Sequence, residues 1–98
     1  MAKLIIRVKE IKGECAVHSI GDRIIIDGAE IDLKNTDKIC IHALTPILHY
    51  AVALREGIDP EKLGLVKKGN KAYIHCPDPG EPYTDGGEVV FEIERVKE

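Results

Sequence analysis

The 98-residue chain has no tryptophan and no glutamine, one serine (Ser19) and one phenylalanine (Phe91), and aromatics make up only 4% of it. A core so poor in rings must be packed by branched aliphatics, which favour pleated strands. The missing glutamine, with asparagine confined to Asn35 and Asn70 and charged residues at 32%, resembles the composition of thermophile proteins. Long apolar runs are lacking as well. The opening stretch is broken by Arg7 and Lys9, too short and too charged for a signal peptide, and nothing approaches the length of a membrane span. The expected location is therefore the cytoplasm.

Excess positive charge is also missing. The net charge of −3 favours neither nucleic acid nor an anionic membrane as a partner, because both demand a concentrated positive field. The densest basic patch, Lys67, Lys68 and Lys71, flanks a turn and reads as a solvated tip. Only three cysteines are present. An odd number of thiols in a reducing compartment makes disulfides a poor explanation for them, although some hyperthermophiles do form them intracellularly.

What is present predicts a single α+β domain over residues 1–98, a small antiparallel sheet with one kinked, proline-interrupted helix on one face. Leu4, Ile6 and Val8 alternate with Ile5, Arg7 and Lys9 in a strand over residues 3–11. A second strand covers 23–27, and a short arm over 30–33 returns across Gly28. Asn35 or Thr36 is a candidate N-cap for a helix from about residue 37. Pro46 kinks or divides it, with Thr45-Pro46 a possible second start, and Gly57 stops it. Ile47, Tyr50, Ala51 and Leu54 recur at helical spacing and should face the sheet. Residues 65–68 and 71–76 suggest a hairpin around Gly69-Asn70. Residues 77–87, rich in Pro, Gly and Asp, form a loop long enough to suggest function or mobility. A last strand spans 88–96 with Val89, Phe91 and Ile93 facing in. A small sheet with open edges makes a homo-oligomer plausible.

Three motifs stand out. Gly13-x-Cys15 is followed by Gly21-Asp22, Cys40-x-x-Ala43 by Pro46, and Cys76-Pro77-Asp78 by the terminal Val90-Phe91-Glu92-Ile93-Glu94-Arg95-Val96. Together they resemble a family of small uncharacterised prokaryotic conserved hypothetical proteins with three cysteines and a terminal V-x-F-x-[IL]-E-R strand. The resemblance runs over most of the chain and departs most at residues 58–72. Where many relatives carry Cys-Cys, this chain has His75-Cys76. It implies a fold and a set of cysteines rather than a reaction.

Cys15, Cys40 and Cys76 all fall at the ends of elements and so could converge at one end of the sheet. With His18, three residues after Cys15, they make a Cys3His set suited to zinc. Alone, three thiolates could hold an iron–sulfur cluster with one iron open. Against this, the ligands are widely spaced, and cysteine is often simply a small buried hydrophobe. A metal-free binding or assembly module with inert thiols is the alternative. A third reading is a thiol enzyme centred on Cys40, its thiolate favoured at a helix start, with His18 or His42 as base. No nucleophile motif supports it, and Ser19 lies in no nucleophile elbow.

His75 should face away from Cys76 by strand alternation. His42 and Cys40, two residues apart, should not share a helical face. Asp78 is close enough in sequence to support a ligating Cys76 from outside the ligand shell. Gly64-x-x-x-x-Gly69 lacks the Lys-Ser/Thr and the strand-to-helix flanks of a phosphate loop.

Overall fold

The computed structural model describes residues 2–97. Five strands, β1 (Lys3–Lys12), β2 (Arg23–Asp27), β3 (Glu30–Ile31), β4 (Ala72–His75) and β5 (Glu88–Val96), form one antiparallel sheet in the order β3-β2-β1-β5-β4. One helix, α1 (Ile41–Arg55), lies between β3 and β4 in sequence. Because β3 and β4 occupy opposite edges, the segment containing α1 must carry the chain across the sheet. The fold is a small α+β arrangement.

The register explains the core. Ala72, Ile93, Ile6 and Ile24 lie side by side across four strands, and the next row holds Ile74, Phe91 and Val8. Against these pack Ala43, Ile47, Ala51 and Leu54, spaced by four, four and three residues along one stripe of α1. Phe91, Leu4, Ile6 and Ile47 are fully buried. Each such side chain contributes about 1.5–3 kcal/mol relative to exposure. The core is thus aliphatic around a single phenyl ring.

Two sequence expectations are corrected. Asn35, Thr36 and Asp37 do not start the helix. Thr36 Oγ1 accepts the Ile25 amide at 3.0 Å, Asp37 Oδ2 accepts the Arg23 amide at 2.8 Å, and the Asp37 amide donates to the Arg23 carbonyl at 2.9 Å. These residues satisfy the open side of β2 beyond the two-residue β3, so the helix starts four residues later, with Cys40 at its N-cap. α1 then runs unbroken through Pro46 to Arg55, with Gly57 just beyond it. Second, residues 65–68 are not a strand. Leu65 donates to the Pro60 carbonyl and accepts from the Tyr73 amide, and the Gly69 amide donates to Glu61 Oε2, so the segment folds back on its own turn. β4 pairs with β5 alone.

Two features position the far end of the sheet. A bulge in β1 between Val8 and Glu10 returns Ile11 to the core side, opposite Val89. Beyond it, Gly13 and Gly86-Gly87 meet backbone to backbone. A Cβ on Gly87 would lie 2.5 Å from the Glu14 carbonyl oxygen, and one on Gly13 would lie 2.8 Å from the Gly87 nitrogen. The Gly87 amide donates to the Lys12 carbonyl at 2.9 Å.

The opposite face of the sheet carries a buried carboxylate. Glu92 accepts from Tyr73 Oη at 2.9 Å and sits 3.6 Å from Lys9 Nζ and 3.7 Å from Lys71 Nζ. The Tyr73 hydrogen bond, helped by the two ammonium groups and opposed by desolvation, holds its pKa below the ordinary 4.5.

Two outcomes follow. Gly87→Ala and Gly64→Ala both place a side chain at positive φ (+99° and +74°), but only Gly87 is sterically blocked. Urea unfolding should show Gly87→Ala more destabilised by at least about 1 kcal/mol. For Glu92, a folded-state pKa below the unfolded one means that the stabilisation is present above pH 4.5 and is lost as pH falls through the folded value. Glu92→Gln should lose about 1 kcal/mol at neutral pH and show a shallower acid-side decline in unfolding free energy than the parent chain.

Candidate functional site

The three cysteines come from three separate segments and line one cavity of about 450 Å³ at the bulged end of the sheet. Its wall is mostly apolar, with Ala16, Val17, Ala43, Val89 and Phe91 beside the thiols, and His42 and Asp78 supply polar groups. The glycine contact explains the convergence. It docks the Cys15 loop onto the end of the 77–87 loop, next to Cys76 at the exit of β4.

Each sulfur has a defined setting. Cys15 is half-buried, and its Sγ accepts the His18 backbone N–H at 3.3 Å, closing a local turn. Cys76 is buried. Its Sγ accepts the Val89 N–H at 3.1 Å and donates to the Gly87 carbonyl at 3.3 Å. Cys40, half-buried, occupies the N-cap with extended backbone (φ −87°, ψ 128°), and its side chain makes no capping hydrogen bond. Its Sγ instead lies 3.8 Å from His42 Nδ1. The helical-face argument that separated these two residues fails because Cys40 stands outside the helix, where the side chain leaves in another direction.

Asp78 is held rigidly. Its Oδ1 accepts from the Gly80 amide at 2.8 Å and from the Thr84 hydroxyl, and Thr84 Oγ1 in turn accepts the Gly86 amide. The Thr84 and Gly80 hydrogen bonds lower its pKa below the ordinary 3.8, and the nearby His42 adds to the effect. The long loop is therefore organised around one carboxylate.

The histidines divide differently from the sequence expectation. His42 lines the cavity, whereas His18 is not among its lining residues. The His18 ring is buried edge-on against Phe91, with centroids 5.4 Å apart and planes at 87°. Neither ring nitrogen has a hydrogen-bond partner, and Asp22 Oδ2 stands 3.7 Å from Nδ1, beyond hydrogen-bond range. Burial lowers the His18 pKa, and Asp22 only partly offsets this. The link between Cys15 and His18 thus runs through the backbone amide rather than the imidazole. His75 is exposed on the other face, as alternation predicts, with Nδ1 2.6 Å from the Cys76 carbonyl oxygen. His49 stacks edge-on against Tyr50.

Among the described residues, no three His, Cys, Asp or Glu side chains are grouped closely enough to hold one metal ion as they stand. No helix among them is long and apolar enough to cross a membrane. What fold and site define is a small α+β protein with a thiol-lined cavity at one end of its sheet. No family model, curated protein or solved structure matches the chain.

Differences in exposure set an order of thiol reactivity. In the native protein at neutral pH, iodoacetamide should modify Cys15 and Cys40 readily. Cys76, 7% exposed, should react at least about tenfold more slowly until the chain unfolds. Peptide mapping of the alkylated protein reads this directly.

Proposed function

We propose that the chain binds an iron–sulfur cluster through Cys15, Cys40 and Cys76. The observation that carries this reading is that thiols 25 and 36 residues apart in sequence line one cavity. Two further features support it. The Cys15 and Cys76 sulfurs each accept a backbone N–H, which stabilises thiolate charge and tunes cluster-bound sulfur. The apolar wall limits water around the sulfurs and lowers the local dielectric. Binding would take the Cys76 proton away from the Gly87 carbonyl, leaving the Val89 amide as the hydrogen bond to its sulfur. When bound, the cluster would supply electron transfer or a Lewis-acidic iron. The setting belongs in the cytoplasm, where thiols stay reduced. The net charge of −3 favours neither nucleic acid nor anionic membranes as partners.

The Cys40–His42 distance favours a second reading, a thiol enzyme with Cys40 as nucleophile and His42 as base. That reading requires Cys40 to outpace a model peptide thiol in the alkylation series.

Anaerobic purification followed by iron, sulfide and zinc analysis and visible spectroscopy tests the proposal. A brown protein with stoichiometric iron and sulfide is expected, with the colour lost in Cys15→Ala, Cys40→Ala and Cys76→Ala while the variants remain folded by circular dichroism. Stoichiometric zinc without visible absorption would replace the cluster by a mononuclear centre. A chain that takes up neither metal before or after reconstitution would leave a metal-free module with packed thiols.

A further inference from the structure

We propose that the outer face of α1 is a self-association surface, on which a second copy of this chain packs its own α1 antiparallel about a twofold axis at Leu48. The proposal is independent of what the cavity holds.

The make-up of α1 carries the first part of the argument. From Ile41 to Leu54 the helix has no charged residue, in a chain that is 32% charged. The surface helix of a monomer turns charged and polar groups outward, and a helix that is apolar on all sides is a covered one. One stripe of α1, Ala43, Ile47, Ala51 and Leu54, is buried against the sheet. A second row, Ile41, Leu44, Leu48 and Val52, is spaced by three, four and four residues and shares another side of the helix. Ile41, Leu48 and Val52 are 77%, 51% and 59% exposed, and Leu44 is half-buried. Single exposed aliphatics are ordinary on a protein surface, whereas this row runs along about 16 Å of helix.

Charge names the occupant. Before α1, exposed Lys34 and Lys38 outweigh Asp37. After it, exposed Glu56, Asp59 and Glu61 outweigh Arg55, whose guanidinium is engaged by the Gly28 carbonyl and Glu56. The apolar row is therefore flanked by positive charge at its N-terminal end and negative charge at its C-terminal end. A second α1 lying antiparallel sets each positive flank against the negative flank of the other copy, twice by symmetry, and opposes the helix dipoles. A parallel copy would bring like charges together. Leu48 is the midpoint of Ile41–Arg55, so a twofold axis there places Leu48 against its own copy and Leu44 of one chain against Val52 of the other. One helix face about 22 Å long is small beside the roughly 800 Å² per partner of a standard interface, so association is expected in the micromolar range.

The experiment uses the full chain, reduced and with a chelator present. Sedimentation velocity from about 10 µM to about 1 mM should show a shift from one chain to two. Leu48→Glu should weaken association at least about tenfold. Lys38→Glu should weaken it severalfold, and adding Glu56→Lys should restore it. Leu33→Glu alters another strongly exposed aliphatic that lies off the row and should leave association unchanged. Each variant should keep the circular dichroism spectrum of the parent. Under mild oxidation with diamide, Leu48→Cys should form a dimer linked through residue 48, whereas Val52→Cys, set apart from its own copy in the antiparallel pair, should not link to itself. A chain that stays monomeric throughout would assign the row to a different protein and overturns the proposal. A dimer indifferent to Leu48→Glu, or one that Val52→Cys links as fast as Leu48→Cys, overturns it as well.

Discussion

The arrangement of the site hangs on a contact between two strips of backbone. Gly13 leaves β1 and Gly86-Gly87 lead into β5, and they approach so closely that neither side has room for a Cβ. The Gly87 N–H fastens the approach to the Lys12 carbonyl. Because Gly87 also offers its carbonyl to Cys76 while Glu14 adjoins Cys15, one steric condition sets the relation between two of the three thiols. The third comes from the start of the helix that crosses the sheet.

That crossing is itself imposed by topology. β3 and β4 lie on opposite edges, and the chain between them must traverse one face. The stripe of Ala43, Ile47, Ala51 and Leu54 fixes the rotation of α1 over the sheet. Its far end is tied down by Arg55 donating to the Gly28 carbonyl and Arg95 donating to the Arg55 carbonyl. With one end anchored and the face set, the N-cap residue has little freedom. Cys40 is thus delivered to the cavity by core packing, in which Ala43, Val89 and Phe91 also form part of the cavity wall.

The interior of the site combines two kinds of sulfur. The Cys76 thiol is fully satisfied by backbone groups and is a quiet, buried partner, whereas Cys40 faces an imidazole and a solvent-accessible rim. The carboxylate of Asp78, locked by its own loop, keeps a fixed negative charge at that rim.

Much of this was legible in the residues. Alternation in β1 and β5, the left-handed stop at Gly57, the inward set of Val89, Phe91 and Ile93, and the placing of three cysteines at element ends all follow from local chemistry and period. The helix start did not, because Thr36 and Asp37 can cap a helix or complete a short edge strand with the same side-chain oxygens, and only the neighbouring β2 decides between them. The roles of the histidines were equally hidden. Spacing from Cys15 favoured His18, but whether an imidazole enters a cavity or the core depends on which way its loop closes over Phe91. His42 became a partner for Cys40 only because the helix begins after the cysteine. Sequence by itself determined β1, β2, β5 and the body of α1, since those preferences act over a few residues. The tertiary structure alone decided which side chains share the cavity, because residues 15, 40 and 76 line one space only once the sheet has closed and the glycines have met.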